Sequence, residues 1–171
     1  MKPMYSSVKA FLADWGYEAS ATEKVLDTLT DDSLKQAVSA AQQRTLGDLA
    51  WHLAGSFSAF LHTAGLQFEG PSFENQPTSA AAIADTYRRV NDAVLTALPQ
   101  QWTDEKLQEP INLFGAINTT YGGVLNLLIR HQIHHRGQMT ILIRQAGLVA
   151  PGIYGPNEEE SAAMRAARAQ K

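Results

Sequence analysis

Apolar positions recur at helical spacing along most of the chain. Val8, Phe11, Leu12, Trp15, Ala19, Thr22, Leu26 and Leu29 gather near one face of a helix predicted from about Ser6 to Leu29. Asp31-Asp32-Ser33 interrupts that pattern, and Leu34 to Arg44 fits either an extended connection or a short helical turn. Thr45 to Asp48 reads as a capping box, a hydroxyl acceptor followed three residues later by an acid. It opens a helix through Trp51, His52, Leu53 and Phe60 to about Thr63, closed by Ala64-Gly65. Leu66 to Pro77 carries Gly70-Pro71 and Pro77 and is a loop. Thr78 or Ser79 caps a third helix, about Ala80 to Leu98, striped by Ile83, Tyr87, Val90, Val94 and Leu98 and ended by Pro99.

Pro99 to Thr120 is the least helical stretch, and Ile111 to Asn118 fits a short hairpin or an ordered loop. A fourth helix runs from about Tyr121 to Gln145 and closes on Gly147, with Val124, Leu128, His131, His135 and Leu142 on its inward stripe. Val149 to Pro156 cannot be regular helix. Asn157 caps a last short helix whose first turn holds Glu158, Glu159 and Glu160, where they suit the dipole, and whose tail from Arg165 to Lys171 is expected to fray. No internal repeat and no linker is visible. Four long amphipathic helices without a convincing sheet predict an all-α chain, a four-helix bundle with long loops and a short C-terminal helix, in one domain over residues 1–171.

Composition narrows the chemistry. The chain has 171 residues, 44% of them hydrophobic, enough for one real core. No window approaches a membrane span, and the start from Met1 to Tyr5 lacks a signal-peptide core, so a cytoplasmic protein is expected. There is no cysteine, so disulfides, thiolate ligands and a cysteine nucleophile are excluded and a metal site must use nitrogen and oxygen donors. A formal net charge of -3 with no basic block argues against nucleic acid as a partner.

His131 and His135 stand at i and i+4 on the apolar stripe, so a helix puts their rings on one face, within reach of one transition-metal ion. Two imidazoles buried together without a shared partner would face desolvation and, if protonated, repulsion. A cation between them removes both, and metal binding outweighs the reading as two ordinary core histidines. Zinc wants three or four protein ligands. His52 borders the stripe of the second helix and is either a third ligand or a boundary histidine bonded to a carbonyl. His62 suits a helix end. His134 lies about 100° around the helix from His135, at the mouth of the site or behind its ligands. Gln138 is placed for a supporting hydrogen bond, Arg136 is expected to point outward to solvent, a partner or a carboxylate, and Gly137 implies close approach of another helix or chain. Asp48 and the three glutamates are explained by capping and the dipole.

Thr45 to Ala54 resembles the second-helix motif of the DinB-like (DinB/YfiT) superfamily, and His131 to Gln138 its fourth-helix motif. Leu142 to Gly147 and Pro151 to Pro156 are also similar to that family, over a match reaching from the first helix to Pro156. The resemblance implies a bundle running up-down-down-up. A loop of about a dozen residues between helices two and three reaches roughly 40 Å, enough for the crossover. It also implies a divalent metal, nickel or zinc, held by His52, His131 and His135, and a homodimer. Relatives include bacillithiol transferases and mycothiol-dependent maleylpyruvate isomerases. The expected activity is a metal-dependent transferase or hydrolase acting on a small molecule, with a low-molecular-weight thiol as a candidate co-substrate and His134 or Tyr154 as candidate proton carriers. The alternatives are a non-enzymatic, stress-associated metal-binding dimer, or an interaction module with structural histidines.

Overall fold

A computed structural model describes residues 5–170; Met1 to Met4, on which the leader expectation partly rests, and Lys171 lie outside the described residues. Four long helices pack on one another: α1 (Val8–Asp27), α2 (Leu46–Thr63), α3 (Ala80–Gln101) and α4 (Tyr121–Gln145). Helix α1 packs against α3 and α4, and α2 against the same two. A fifth helix, α5 (Glu158–Ala169), buries no residue and is held by a two-pronged pair between Arg144 and Glu159 at 2.5 and 2.6 Å. No helix among the described residues is long and apolar enough to cross a membrane.

Sheet structure departs from the all-α expectation. Before α2 stands an antiparallel hairpin, β1 (Ala37–Ser39) with β2 (Gln42–Thr45), and before α4 another, β3 (Pro110–Leu113) with β4 (Ile117–Thr120). The segment from Leu34 to Arg44 thus contains both predicted options, a 3₁₀ turn over Ser33–Lys35 and then extended chain. The second hairpin turns at Phe114-Gly115, both with positive φ (55° and 71°), closed by the Ala116 N–H donating to the Leu113 carbonyl at 3.1 Å. The first hairpin's alternation is too short to read against the flanking helices, while the second realises the hairpin option for Ile111 to Asn118.

Two helix ends also differ. Pro99 lies inside α3, which continues to Gln101. In the last turn the missing N–H costs only the bond to Leu95, and the Trp102 N–H still reaches the Leu98 carbonyl at 2.9 Å. The C-terminal tail does not fray at Arg165 but stays helical to Ala169, with Arg165 paired to Glu158.

An internal repeat, contrary to the expectation from the sequence, organises the fold. Each half runs helix, 3₁₀ turn, hairpin, helix. Thr30-Asp31-Asp32-Ser33-Leu34 corresponds to Thr103-Asp104-Glu105-Lys106-Leu107, and the N-cap Thr45 to the N-cap Thr120. The halves cap each other: Asp104 Oδ1 accepts the Val8 N–H at the start of α1 (2.7 Å), and Asp31 Oδ1 accepts the Ala80 N–H at the start of α3 (2.8 Å). Equivalent glycines permit close packing. A Cβ on Gly47 would sit 3.0 Å from the Leu34 carbonyl oxygen, and one on Gly122 would sit 3.1 Å from that of Leu107.

Because each aspartate satisfies a donor that the helix itself cannot, Asp31→Ala and Asp104→Ala should each cost about 1 kcal/mol. Urea denaturation should find the two losses roughly additive in the double variant, since they lie at different helix starts. Unchanged midpoints would contradict the reciprocal capping.

Candidate metal centre

Helix α2 starts on its capping box, in which Thr45 Oγ1 accepts the Asp48 N–H (3.2 Å) and Asp48 accepts the Thr45 N–H (2.8 Å). That start sets the phase placing His52, Ser56 and Phe60 on one side, at i, i+4 and i+8. Helix α4 brings His131 and His135 to the same place. His131 Nε2 lies 3.2 Å from His52 Nε2 and 3.1 Å from His135 Nε2. One nitrogen from each ring falls within 4.8 Å of the others.

The outer ring nitrogens decide what the inner ones carry. His135 Nδ1–H donates to Gln138 Oε1 at 2.8 Å. Ser56 Oγ already donates to the Leu53 carbonyl, so its lone pair accepts the Nδ1–H of His131 at 3.3 Å. Both rings are therefore neutral Nδ1–H tautomers, and their Nε2 atoms present bare lone pairs to each other. Burial pushes His131 down to about 4, helped by charge on His135, His52, His134 and Arg44. His52 is lowered by burial, then by His135 and Arg44. His135 is lowered by burial, with its bond to Gln138 acting the other way and His134 and Arg44 adding to the fall. At neutral pH no proton lies between the His131 and His135 Nε2 atoms. Nitrogen ligands 2.0–2.1 Å from one ion, at angles between octahedral and tetrahedral, lie about 2.9–3.4 Å apart. The His52–His131 and His131–His135 spacings fall in that range, and with all three nitrogens within 4.8 Å of one another the cluster is compatible with a divalent cation.

An open groove of about 510 Å³ adjoins the cluster, lined by His52, His131, Trp51, Phe60, Phe73 and Phe114 among others. Phe73 comes from the loop between α2 and α3; it packs on Trp51 at 4.8 Å and lies over Gly55, where a Cβ would meet its ring at 2.9 Å. Phe114 comes from the second hairpin's turn, packs edge-on against Phe60 at 5.3 Å and stays 49% exposed. A bulky residue with positive φ is uncommon, and such backbone strain concentrates at binding sites.

The other sequence candidates sort by contact. His134 is exposed and its ring stands 4.9 Å from that of His135, bordering the cluster without entering it. Gln138 supports His135. His62 bonds the Leu66 carbonyl and stacks on Phe68 at the end of α2. Asp48 lines the groove but is occupied in its cap. Arg136 does not point outward. It is 2% exposed, donates to the Glu18 carboxylate at 2.5 Å, the Glu18 carbonyl at 2.9 Å and Thr22 Oγ1 at 3.2 Å, and so realises only the carboxylate option. Tyr154 is bonded to Arg136 (2.6 Å) and Glu18 (2.9 Å). Its hydroxyl, raised by burial and then by Glu18, is committed to that pair and not to the histidines. Among the described residues nothing approaches a Cβ at Gly137, so no described helix of the same chain explains that glycine. Ser56, Gln132, Phe73 and Phe114 escaped the sequence reading. Gln132 alone had a signal, a polar residue on an apolar stripe.

The chain belongs to the DinB family, whose model matches residues 4–170. It is 48% identical over 158 residues to the uncharacterized protein YrdA of Bacillus subtilis, covering 92% of this chain and 93% of that protein. It is 29% identical over 106 residues to the uncharacterized protein YjoA of the same organism, covering 58% and 66%. A crystal structure of a DinB-like protein from Bacillus cereus ATCC 10987 superimposes with a TM-score of 0.83 at 45% identity, over 88% of this chain and all of that one. The crystal structure of YjoA, with a TM-score of 0.64 at 24% identity over 84% and 96%, shares the fold.

In the unfolded chain His131 titrates near 6.5, and in the folded, metal-free chain at about 4. Between those values the unfolded chain binds more protons. Stability of metal-free protein should therefore be complete above about pH 6.5 and fall as pH drops toward 4. NMR titration of the ring should give a midpoint near 4; a midpoint near 6.5 would contradict the burial argument.

Proposed function

We propose that the protein is a metal-dependent transferase or hydrolase of small molecules, with His52, His131 and His135 as ligands to one divalent ion, nickel or zinc. One observation carries this: two bare imidazole nitrogens face each other 3.1 Å apart beside an open, aromatic-lined groove. A three-histidine centre leaves coordination positions free, and such an ion lowers the proton affinity of a bound water or thiol. The chain's own residues supply the rest. Ser56 and Gln138 hold two ligand rings in their tautomers, while Trp51, Phe60, Phe73 and Phe114 receive an apolar or aromatic body and exclude water from it. With no cysteine in the chain, the nucleophile is water or a low-molecular-weight thiol brought as co-substrate. His134, beside the cluster, is the proton carrier of this reading.

An up-down-down-up bundle accompanies it. The stretch from Ala64 to Ser79 can span roughly 50 Å extended, more than the length of one helix. A homodimer accompanies it too: Ile133 stands one turn from Gly137 on α4 and is exposed, and the space over Gly137 is open to a second copy. The working location is the cytoplasm.

Elemental analysis of tag-free protein should find one divalent ion per chain. His52→Ala should lose it with the helical fold intact by circular dichroism, and wild type should release it below about pH 6 as the imidazoles protonate. Wild type without metal, or His52→Ala with full metal, overturns the site. Metal retained without turnover across a panel of thiols, esters and electrophiles overturns the enzyme and leaves the stress-associated metal-binding dimer.

A further inference from the structure

A second groove, of about 310 Å³, lies between the first hairpin and α4 and shares no lining residue with the aromatic one. Its walls are apolar, from Val38, Leu49, Ile141 and Leu142. Its polar lining residues are Gln42, Gln138, Gln145 and Arg44. No carboxylate lines it, and Arg44 makes no ion pair among the described residues. An apolar trough with one unneutralised cation and several amides suits an anionic headgroup on a short apolar body. The groove also adjoins the histidines. Gln138, in its wall, is the side chain that holds His135 Nδ1 at 2.8 Å.

We propose that this groove is a second ligand subsite of the histidine centre, taking a small carboxylate-bearing molecule through Arg44 while the aromatic groove takes an apolar one. It deepens the transferase reading, which needs two ligands to meet at one place, but binding at Arg44 does not itself require the ion. Arg44, on β2 immediately before the N-cap of α2, is then the residue that selects between charged and neutral co-ligands.

The test uses hexanoate and 1-hexanol as probes of the full chain, in metal-free and metal-loaded form, read by NMR and calorimetry. Hexanoate should shift the side-chain amides of Gln42 and Gln138 in both forms, and 1-hexanol should bind much more weakly. Arg44→Gln should weaken hexanoate about tenfold or more, Arg44→Lys should restore part of the loss, and Phe114→Ala should leave hexanoate unaffected. Equal binding of the two probes, equal affinity in Arg44→Gln, or shifts confined to Trp51 and its neighbours would overturn the proposal. Hexanoate binding that survives in His52→Ala after the metal is lost supports the subsite. A wild type that holds no metal yet binds hexanoate through Arg44 overturns the metal reading and leaves the subsite standing.

Discussion

Gln132 ties all four long helices together. Its side chain is fully buried on α4. Its amide N–H donates to the Leu53 carbonyl on α2 at 3.0 Å, and its oxygen accepts from Thr22 on α1 and Tyr87 on α3, each at 3.4 Å. A buried amide is tolerable only when its groups are satisfied, and these partners are available at one rotation of α4 about its axis. That rotation turns the neighbouring residue, His131, toward α2 and His52. The histidine cluster is thus positioned by a hydrogen-bond junction that touches none of its three facing nitrogens. Apolar packing alone would tolerate small slips of one helix on another; a four-way polar junction does not.

Around that junction the two halves of the chain are alike in backbone and unlike in chemistry. Counting from the N-cap threonines, Ser56 in the first half stands where His131 stands in the second, Phe60 where His135 stands, and His52 where Leu127 stands. Ser56 and His131, a matched pair, touch each other at 3.3 Å. Residues equivalent by an approximate two-fold axis meet only near that axis, so the histidines sit where the halves cross. The fold supplies two helices facing each other symmetrically. Substitution at three matched positions then gives one side two histidines and the other side a third histidine, a hydroxyl support and an aromatic wall.

Much of this was legible in the sequence because it is periodic or local. The stripes of α1, α2 and α4, the Thr45–Asp48 and Asn157 caps, and the spacing of His131 and His135 all lie within a few turns of chain. Placing His52 with them needed tertiary information, which the family resemblance supplied and the 3.2 Å contact shows. The first hairpin and the repeat were hidden for different reasons, whereas Ile111 to Asn118 was readable as a short hairpin. Strands of three and four residues carry too few alternations to register, and the repeat is conserved in turn residues rather than in helix faces. Arg136 was misread because its charge argued for solvent, and Glu18, its partner, is far away in sequence.

Helix α4 therefore has one fixed flank and one open flank. On the fixed flank, Gln132 and the buried Arg136–Glu18 pair are saturated with protein partners, and Tyr154 closes the pair from the C-terminal loop. Removing either charge would strand the other in the dry interface, so that flank resists change. On the open flank, His131 and His135 face each other with lone pairs unshared, and the groups around them, His134, Gln138 and Phe114, are exposed. Polar groups left incompletely partnered beside solvent are where a ligand gains most, because the fold has already oriented them. Internal hydrogen bonds hold one flank of α4, and on the other the paired histidines are the polar groups that the fold has oriented without saturating.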